Sequence, residues 1–524
     1  MNLELNKFFE KAVNALFKKV LIFIDLLTKP LINSSHHIEI LSGSSPRYIE
    51  GSTLLFHKKQ VASGFLMRLM LLIGINILKF SQWLIGESVY VLRQGLFVER
   101  PELWRLLYVA NVLRNFNILS YIGRVKKGSD QPHMYYWLAT VNEGCGGVTH
   151  AAGCSSVKEE LALARCVGET IERYSNSTIP YDTFLVSSFR NIRVYALDPN
   201  DIPSITNEQR KKLHSPFLTH DSIFRWVRGI SLYDDVPCFL PAQLVYLGYQ
   251  RLPEEPVLRS YITTGAAAFS SDDPDQAIVN GIFEVIERDA FIINWVHARS
   301  IPAIDIKSIK NEKIKNLYSK FSQHNLKIRV LDMRIDIPIP IFLGIVLDST
   351  GKGPAVAVSG KVELDPEETL LRIMESALHM YYFSRSTMQK YSDSRNSSRQ
   401  PGILEKRVLR WEDPENLKSI KFWTDTKEIP LPAYPLSDSF RGISSTNKKK
   451  KLVKLLHSYG MHPIVVNQTP PAIHNLGFVS VSVFILEAQH LWLDEDFSVY
   501  NGKRLEMFRN TAGHPFNVLP HPFA

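Results

Sequence analysis

One short pattern occurs twice in this chain of 524 residues and constrains it more than any other feature. The two copies are Glu169-Thr-Ile-Glu172-Arg173 and Glu284-Val-Ile-Glu287-Arg288. In a helix, residues at positions i and i+3 share a face, so each copy directs two carboxylates to one side with an arginine beside them. Four carboxylates on facing helices would form an oxygen-rich site for Mg²⁺ and the phosphates of a nucleotide. The repeat therefore predicts the active centre.

The first copy follows a stretch that is rich in glycine. We interpret residues 144–153 as a turn, and their glycine spacing matches neither a Walker loop nor a dinucleotide-binding fingerprint. Ser155 or Ser156 is predicted to N-cap a helix that runs through Arg173.

The second copy has the same order of features. We interpret residues 264–271 as a loop of small residues, and Asp272-Asp273-Pro274 predicts a helix start with proline in the first turn. In both copies an alanine lies seven residues before the first glutamate. Because loop, cap, alanine and carboxylate pair recur in one order, the pattern indicates an internal structural repeat.

A third and degraded copy is predicted further along the chain. Asp365-Pro366 opens another helix, but Ser376 and His379 stand where the two glutamates would stand, and Glu375 is one position early. We therefore expect this helix to pack against the site without preserving its metal-binding face. The Ser- and Arg-rich residues 386–405 are predicted to form a loop.

Composition bounds the class of protein. A content of 45% hydrophobic and 22% charged residues is typical of a globular protein, and the length predicts two or three subdomains. The net charge of +9 would suit nucleic acid, an anionic membrane or an acidic peptide, but no nucleic-acid-binding motif accompanies the densest basic run, Lys448 to Lys451. The four cysteines lack CxxC spacing, which argues against a disulfide framework or zinc site and favours the cytosol.

Residues 1–115 are predicted to be mostly helical, with a role in docking onto the rest of the chain or onto a partner. Val20 to Leu27 is too short to cross a membrane, and charged residues interrupt Val61 to Gly86, whereas a spanning helix needs about 20 apolar residues. A core or partner-docking helix is favoured over one that lies on a membrane surface. No signal peptide is visible.

The chain ends on a proline-rich segment, residues 515–524. Such a segment has no helix potential and is often disordered, but it ends in apolar residues here. Insertion into a groove, with the carboxylate of Ala524 as a ligand, is therefore the alternative. The ordinary pKa of histidine suits His521 to carry a proton, and a structural role is an equal alternative.

With these residues in hand, residues 117–524 resemble the YcaO family, specifically the azoline-forming peptide cyclodehydratases known as D proteins. The resemblance rests on the serine, alanine and carboxylates of the first copy, on the Asp-Asp-Pro start and carboxylates of the second, and on residues 517–523. It implies an α+β fold in residues 116–524, with pseudo-repeated helix and sheet subdomains around an ATP site, preceded by the mostly helical residues 1–115.

The resemblance also implies ATP and Mg²⁺ as cofactors and assigns roles to residues. The four repeated carboxylates are the implied metal and cofactor ligands: Glu169, Glu172, Glu284 and Glu287. The implied phosphate ligands are Arg288 and Ser156, with Ser155 as the alternative to Ser156.

The implied reaction is the activation of a peptide amide. A Cys, Ser or Thr side chain of the substrate adds to the preceding carbonyl, the resulting oxyanion attacks the γ-phosphate of ATP, and loss of phosphate leaves a thiazoline or oxazoline. Azoline-forming relatives end in Pro-x-Pro-x-Pro and their terminus reaches the active site. This tail keeps two of the three prolines, so the implied catalytic residues are Pro520, His521, Pro522 and Ala524.

Two other functions stay open at this point: a YcaO enzyme that makes thioamides with an external sulfur nucleophile, and a nucleotide-binding scaffold subunit of a peptide-modifying complex. The implied partners are a ribosomal precursor peptide, a separate leader-binding protein and a flavin-dependent dehydrogenase that oxidises azolines to azoles. A homodimer also stays open, and no nucleic-acid partner is expected.

Overall fold

The structure is a computed structural model, and it describes residues 100–125, 128, 130–258, 265–393, 400–509 and 515–523. The prediction for residues 1–115 therefore lies mostly outside the described residues, and both early apolar stretches do so entirely. Its last part is helical, as expected, from Pro101 to Asn115. Within the ranges above, no helix combines the length and the apolar character that crossing a bilayer requires.

Strands and helices alternate along the described chain, which gives the predicted α+β class. The strands are β1 (Leu119–Arg124), β2 (Tyr135–Asn142), β3 (Val148–Ser155), β4 (Leu185–Ser188), β5 (Ile223–Ser231), β6 (Pro237–Pro241), β7 (Gly265–Ser270), β8 (Ala303–Ile304), β9 (Leu326–Asp332), β10 (Ile341–Asp348), β11 (Val356–Val362), β12 (Glu428–Ile429), β13 (Pro463–Asn467) and β14 (Phe478–Ile485). The helices are α1 (Pro101–Asn115), α2 (Glu159–Ser177), α3 (Phe189–Ile192), α4 (Asn207–Lys212), α5 (Pro274–Val296), α6 (Glu312–Gln323), α7 (Pro366–Asp393), α8 (Ile403–Arg410), α9 (Lys421–Thr424), α10 (Ser445–Ser458), α11 (Pro471–Asn475) and α12 (Lys503–Met507).

The strands form three sheets. The first has the order β1-β2-β3, the second β4-β5-β13-β14-β7 with β6 on the other side of β5, and the third β11-β10-β9-β8-β12. Neighbouring strands are antiparallel except β8 and β12, which are parallel. Strands β13 and β14, which come late in the chain, lie between β5 and β7 in the second sheet.

One strand of each sheet leads directly into a long helix: β3 into α2, β7 into α5 and β11 into α7. Helix α2 packs on β3 and on β7, α5 packs on β7 and on β11, and α7 packs on β11 and on β3. The three strand–helix units therefore form a closed ring in which each helix lies between its own sheet and the next one. The predicted internal repeat is confirmed, including the third copy.

Two stretches that we interpreted as a turn and a loop are strands. In the glycine-rich stretch only residues 144–147 form a turn, and β3 occupies the rest. In the stretch of small residues, β7 occupies residues 265–270. The small residues serve close packing, because a Cβ at Gly153 would overlap the backbone of Ala162 and Cys166, and one at Gly265 would overlap the carbonyl of Gly281. In both of these units the strand thus lies against the backbone of the helix that follows it.

Two helix boundaries also differ from the prediction. Helix α2 starts at Glu159, later than a serine cap would place it, because the hydroxyl of Ser155 accepts bonds from the N–H groups of Val157 and Lys158 and so closes the turn before the helix. Helix α7 continues to Asp393 and α8 starts at Ile403, although residues 386–405 were predicted to form a loop. Tertiary contacts extend both helices, since Glu405 accepts hydrogen bonds from α7.

The predicted start of α5 is confirmed. The side chain of Asp273 caps α5 by accepting a bond from the N–H of Gln276. All four cysteines lie in the described ranges and none forms a disulfide. The basic run lies on α10, where Lys449 pairs with Asp275 of the first turn of α5 at 2.5 Å.

Candidate active site

The first glutamate of each repeated pair is held by the same two kinds of group, a backbone N–H of the preceding strand and the arginine four residues later. Glu169 Oε2 accepts a hydrogen bond from the N–H of Ala152 on β3 at 3.0 Å, and Glu284 Oε2 accepts one from the N–H of Ala266 on β7 at 2.7 Å. The other oxygen pairs with the arginine one turn later, at 3.1 Å for Glu169 and 2.5 Å for Glu284. Charge-assisted bonds of this kind fix the side chains firmly. Each unit therefore presents its carboxylate pair in the same orientation relative to its sheet.

The second glutamate of each pair lies in a less polar environment. Burial, and then the negative charge of Glu284, raise the pKa of Glu172 to about 8. Burial also raises the pKa of Glu287 to about 7, although the positive charge of Lys361 opposes this shift. Glu172 lies on α2 and Glu284 on α5. Because the charge of Glu284 contributes to the raised pKa of Glu172, these carboxylates of the two units lie within electrostatic range of one another.

This donor set suits a hard divalent cation. Carboxylate oxygens are the ligands that Mg²⁺ prefers in proteins, and a cation would relieve both the burial and the mutual repulsion that raise these pKa values. Across the described residues, no three acidic, imidazole or thiol side chains are close enough together to hold a metal ion as they stand. Glu169 and Glu284 are engaged by backbone N–H groups and arginines, so metal binding would require some side chains to turn.

The two candidate serines differ in their surroundings. Ser155 is fully buried, and its hydroxyl is used within the turn before α2. Ser156 is partly exposed, and both its N–H and its hydroxyl donate to Glu375 Oε1 at 2.6 Å. Of the two, Ser156 is the one whose donors face another side chain of the site.

The fold brings to Ser156 two residues, Glu375 and Arg165, for which the sequence predicted no role in the site. Glu375 of α7 also accepts a bond from Arg165 Nη1 at 2.7 Å through Oε2, and Arg165 donates to the carbonyl of Cys154 as well. Arg165 precedes Glu169 by one helical turn, so it lies on the same face of α2 as the carboxylates. That i−4 relation was a signal available in the sequence, whereas the approach of Glu375 from another unit was not.

The third unit keeps the fold of the site without its carboxylates. Ser376 replaces the first glutamate, and its hydroxyl bonds to that of Ser359 on β11 at 2.7 Å. The strand-to-helix contact is therefore retained with neutral groups. As predicted, this helix packs against the other units.

The tail runs along α5 and into a groove. Asn517 donates its N–H to the carbonyl of Val296 at 2.7 Å, and Trp295 Nε1 donates to the carbonyl of Leu519 at 3.0 Å. Pro522 and Phe523 are buried, and Phe523 pairs with Val358 of β11. Insertion of the tail into a groove is confirmed for residues 521–523.

The tail also approaches the carboxylates. Gly360 lies two residues beyond Val358 on β11, and a Cβ at Gly360 would touch the side chain of Glu287. Phe523 of the tail and Glu287 of α5 therefore both contact β11, at Val358 and at Gly360. Ala524 lies outside the described residues, and its role stays a prediction.

His521 is placed as an anchor of the tail. It is completely buried, its Nε2 lies 2.6 Å from the carbonyl oxygen of Trp492, and its own carbonyl accepts a bond from Arg407 at 2.7 Å. Burial, and then the charge of Arg407, hold the pKa of His521 well below its ordinary value. These contacts favour the structural alternative for His521 over that of a proton carrier.

Comparison with known proteins agrees with this arrangement. A family model described as YcaO cyclodehydratase, ATP- and Mg²⁺-binding, matches residues 155–487, a range that contains both carboxylate pairs. An uncharacterised protein of Methanothermobacter thermautotrophicus is 24% identical over 230 residues, which cover 44% of this chain and 56% of that protein. This chain therefore spans about half the length of that curated relative.

Two solved structures share the fold. A heterocyclase in complex with substrate and cofactor matches with a TM-score of 0.62 at 18% identity, over 79% of this chain and 57% of that one. The YcaO protein from Methanopyrus kandleri, bound with AMPPCP and Mg²⁺, matches with a TM-score of 0.51 at 18% identity, over 74% of this chain and 91% of that one. Since the family model covers more than half of the chain and the fold agrees, this protein belongs to the YcaO family, whose description is ATP- and Mg²⁺-binding.

Proposed function

We propose that this protein is an ATP-dependent cyclodehydratase that converts Cys, Ser or Thr residues of a ribosomally made precursor peptide into thiazoline or oxazoline rings. The observation that carries the proposal is the matched setting of the two carboxylate pairs, in which a strand N–H and an arginine hold Glu169 and Glu284 in the same way. Glu169 and Glu284 are balanced by arginines, whereas ionisation of Glu172 and Glu287 would add negative charge that a divalent cation can balance.

The residues divide into holding and binding groups. Glu169 and Glu284 are oriented by their strands, so they set the position of the site. Glu172 and Glu287 extend one turn further into the less polar region and are the oxygen ligands with the most to gain from Mg²⁺. Arg288 neutralises phosphate charge beside them, and Ser156 donates to a phosphate oxygen, as charge neutralisation and positioning are what phosphoryl transfer needs from a protein.

The proposed chemistry requires ATP because the γ-phosphate takes up the amide oxygen, which then leaves as part of the released phosphate. The chain itself contributes orientation, exclusion of water and charge balance, since the side chain of the substrate is the nucleophile. Each ring forms with the loss of one water from the peptide and the conversion of one ATP to ADP and phosphate. The buried tail supports this proposal, because Phe523 pairs with Val358 of β11, two residues before Gly360, and Gly360 lies against the side chain of Glu287.

Mass spectrometry of the precursor peptide tests the proposal. The full chain is incubated with Mg²⁺, ATP, the precursor and its separate leader-binding protein, without the flavin dehydrogenase. We expect a loss of one water per ring, and Glu287→Gln should abolish it while Glu312→Gln, an exposed change on α6, should not. Exchange of oxygen for sulfur would instead indicate a thioamide-forming enzyme. Full ring formation by Glu287→Gln would overturn the site assignment, and Mg²⁺·ATP binding without any change in the peptide would favour the scaffold.

A further inference from the structure

One buried carboxylate outside the repeated pairs has an unusual set of partners. Glu375 is 2% exposed, and its two oxygens accept bonds from the N–H and hydroxyl of Ser156 and from the guanidinium of Arg165. A serine N–H, a serine hydroxyl and an arginine are the donors with which proteins typically bind phosphate. The chain has therefore built an anion-binding pocket, and one of its own carboxylates fills it.

The sequence shift of the third unit explains how Glu375 reaches this pocket. Glu375 stands one position before Ser376, which takes the place of the first repeated glutamate. Successive helical residues differ by about 100° around the axis, so Ser376 faces its own strand while Glu375 faces the next unit. Because the three units form a ring, that next unit is the one that contains Ser156 and α2.

The pocket is not saturated by its present occupant. The Nε–H of Arg165 is buried and has no hydrogen-bond partner within the described part of the chain. A ligand with a free acceptor would satisfy this donor. A carboxylate has two oxygens, whereas a terminal phosphate offers three, so a phosphate has an acceptor to spare for this group.

We propose that Ser156 and Arg165 together bind a phosphate oxygen of the nucleotide, and that Glu375 occupies their pocket until the nucleotide displaces it. The proposal rests on the proposed function, which makes Ser156 a phosphate ligand, and adds Arg165 as a second ligand and Glu375 as an internal competitor. Arg165 is well placed for this role, since it lies one turn before Glu169 on the same face of α2 and is 20% exposed.

Displacement of Glu375 has a consequence for affinity. The bonds from Ser156 and Arg165 to a charged group must break before the same donors can bind a phosphate, so part of the binding free energy of the nucleotide is used to expel Glu375. Removing the negative charge at this position should therefore tighten nucleotide binding, by about tenfold if one charge-assisted bond is saved. An ordinary supporting carboxylate would have the opposite effect when removed.

Isothermal titration of the full chain with AMPPNP and Mg²⁺ tests this inference, since the analogue isolates binding from turnover. Glu375→Gln, which keeps the shape and removes the charge, should lower the Kd about tenfold, and Glu375→Ala should change it in the same direction. Adding Arg165→Gln to Glu375→Gln should reverse the gain, because the second phosphate ligand is then missing. Glu367→Gln is the matched control, since Glu367 is an exposed carboxylate on the same helix and its side chain accepts a bond from Asn311.

The outcomes separate this inference from the proposed function. If the wild-type protein binds AMPPNP·Mg²⁺ and Glu375→Gln is folded but binds no more tightly, the internal-competitor inference is overturned while the proposed function stands. If neither protein binds the analogue, both are overturned. Tighter binding by Glu375→Gln that survives Arg165→Gln would overturn the role of Arg165. Thermal unfolding of each variant verifies that it is folded.

Discussion

Replacing Glu172 by glutamine should stabilise the nucleotide-free protein at high pH. Burial and the charge of Glu284 raise the pKa of Glu172 from its ordinary 4.5 to about 8. Between these pH values the unfolded chain has lost the proton and the folded chain has kept it. Stability contributed by this group is therefore fully present below about pH 4.5 and is lost as the pH rises through about 8. Glutamine does not ionise, so the variant does not show this loss.

The size of the effect follows from the shift. At about 1.36 kcal/mol per pKa unit, the full shift corresponds to about 5 kcal/mol. Glu172 shares its repulsion with Glu284 and is only partly shielded from water, so we expect about 1–3 kcal/mol in favour of Glu172→Gln above about pH 8. Below about pH 4.5 the two proteins should be equally stable.

Urea unfolding of both proteins across this pH range, without nucleotide, measures the difference as a shift of the midpoint. Glu312→Gln is the control, because Glu312 is a 75% exposed carboxylate that lies outside the repeated pairs. With Mg²⁺ and ATP present the order should reverse, because glutamine is a weaker ligand than a carboxylate. A Glu172→Gln variant that is less stable than wild type at high pH, or equally stabilised at about pH 4, would refute the reasoning.

Three further outcomes follow from the fold. Gly153→Ala on β3 should prevent folding or lower the melting temperature strongly, because the added Cβ would overlap the backbone of α2. Gly168→Ala on α2 adds a Cβ with no atom within 4 Å and should stabilise the protein by up to about 1 kcal/mol. Thermal unfolding distinguishes the two variants. Asp289→Asn should cost about 3–5 kcal/mol of stability, because it weakens the buried pairing with Arg504, while the exposed Asp201→Asn should have little effect in the same denaturation assay. The rise in melting temperature caused by Mg²⁺·ATP should be larger at about pH 9 than at about pH 6, because protons compete with Mg²⁺ for carboxylates of raised pKa; equal shifts would contradict this.

The repeated helices were predictable because their signals are local. Helical periodicity placed each glutamate pair on one face, and Asp273 with Pro274 marked a helix start that the structure confirms. The glycine- and alanine-rich stretches were misassigned, because their small residues reflect close packing of β3 and β7 against a helix backbone. Sequence spacing alone does not distinguish that use of glycine from its use in a turn.

The sequence by itself determined the composition of the repeated units, the order in which they occur and the four carboxylates that they carry. It also pointed to the buried tail through its apolar residues. Only the tertiary structure decided how the units meet: the ring of three brings Glu172 towards Glu284, places Glu375 on Ser156 and Arg165, and buries His521 as an anchor. Apart from the bond between His521 and Trp492, these contacts join residues more than 100 positions apart, and no local periodicity encodes them. They depend on which helix face packs against which sheet, and that is fixed only when all three units bury their apolar surfaces together.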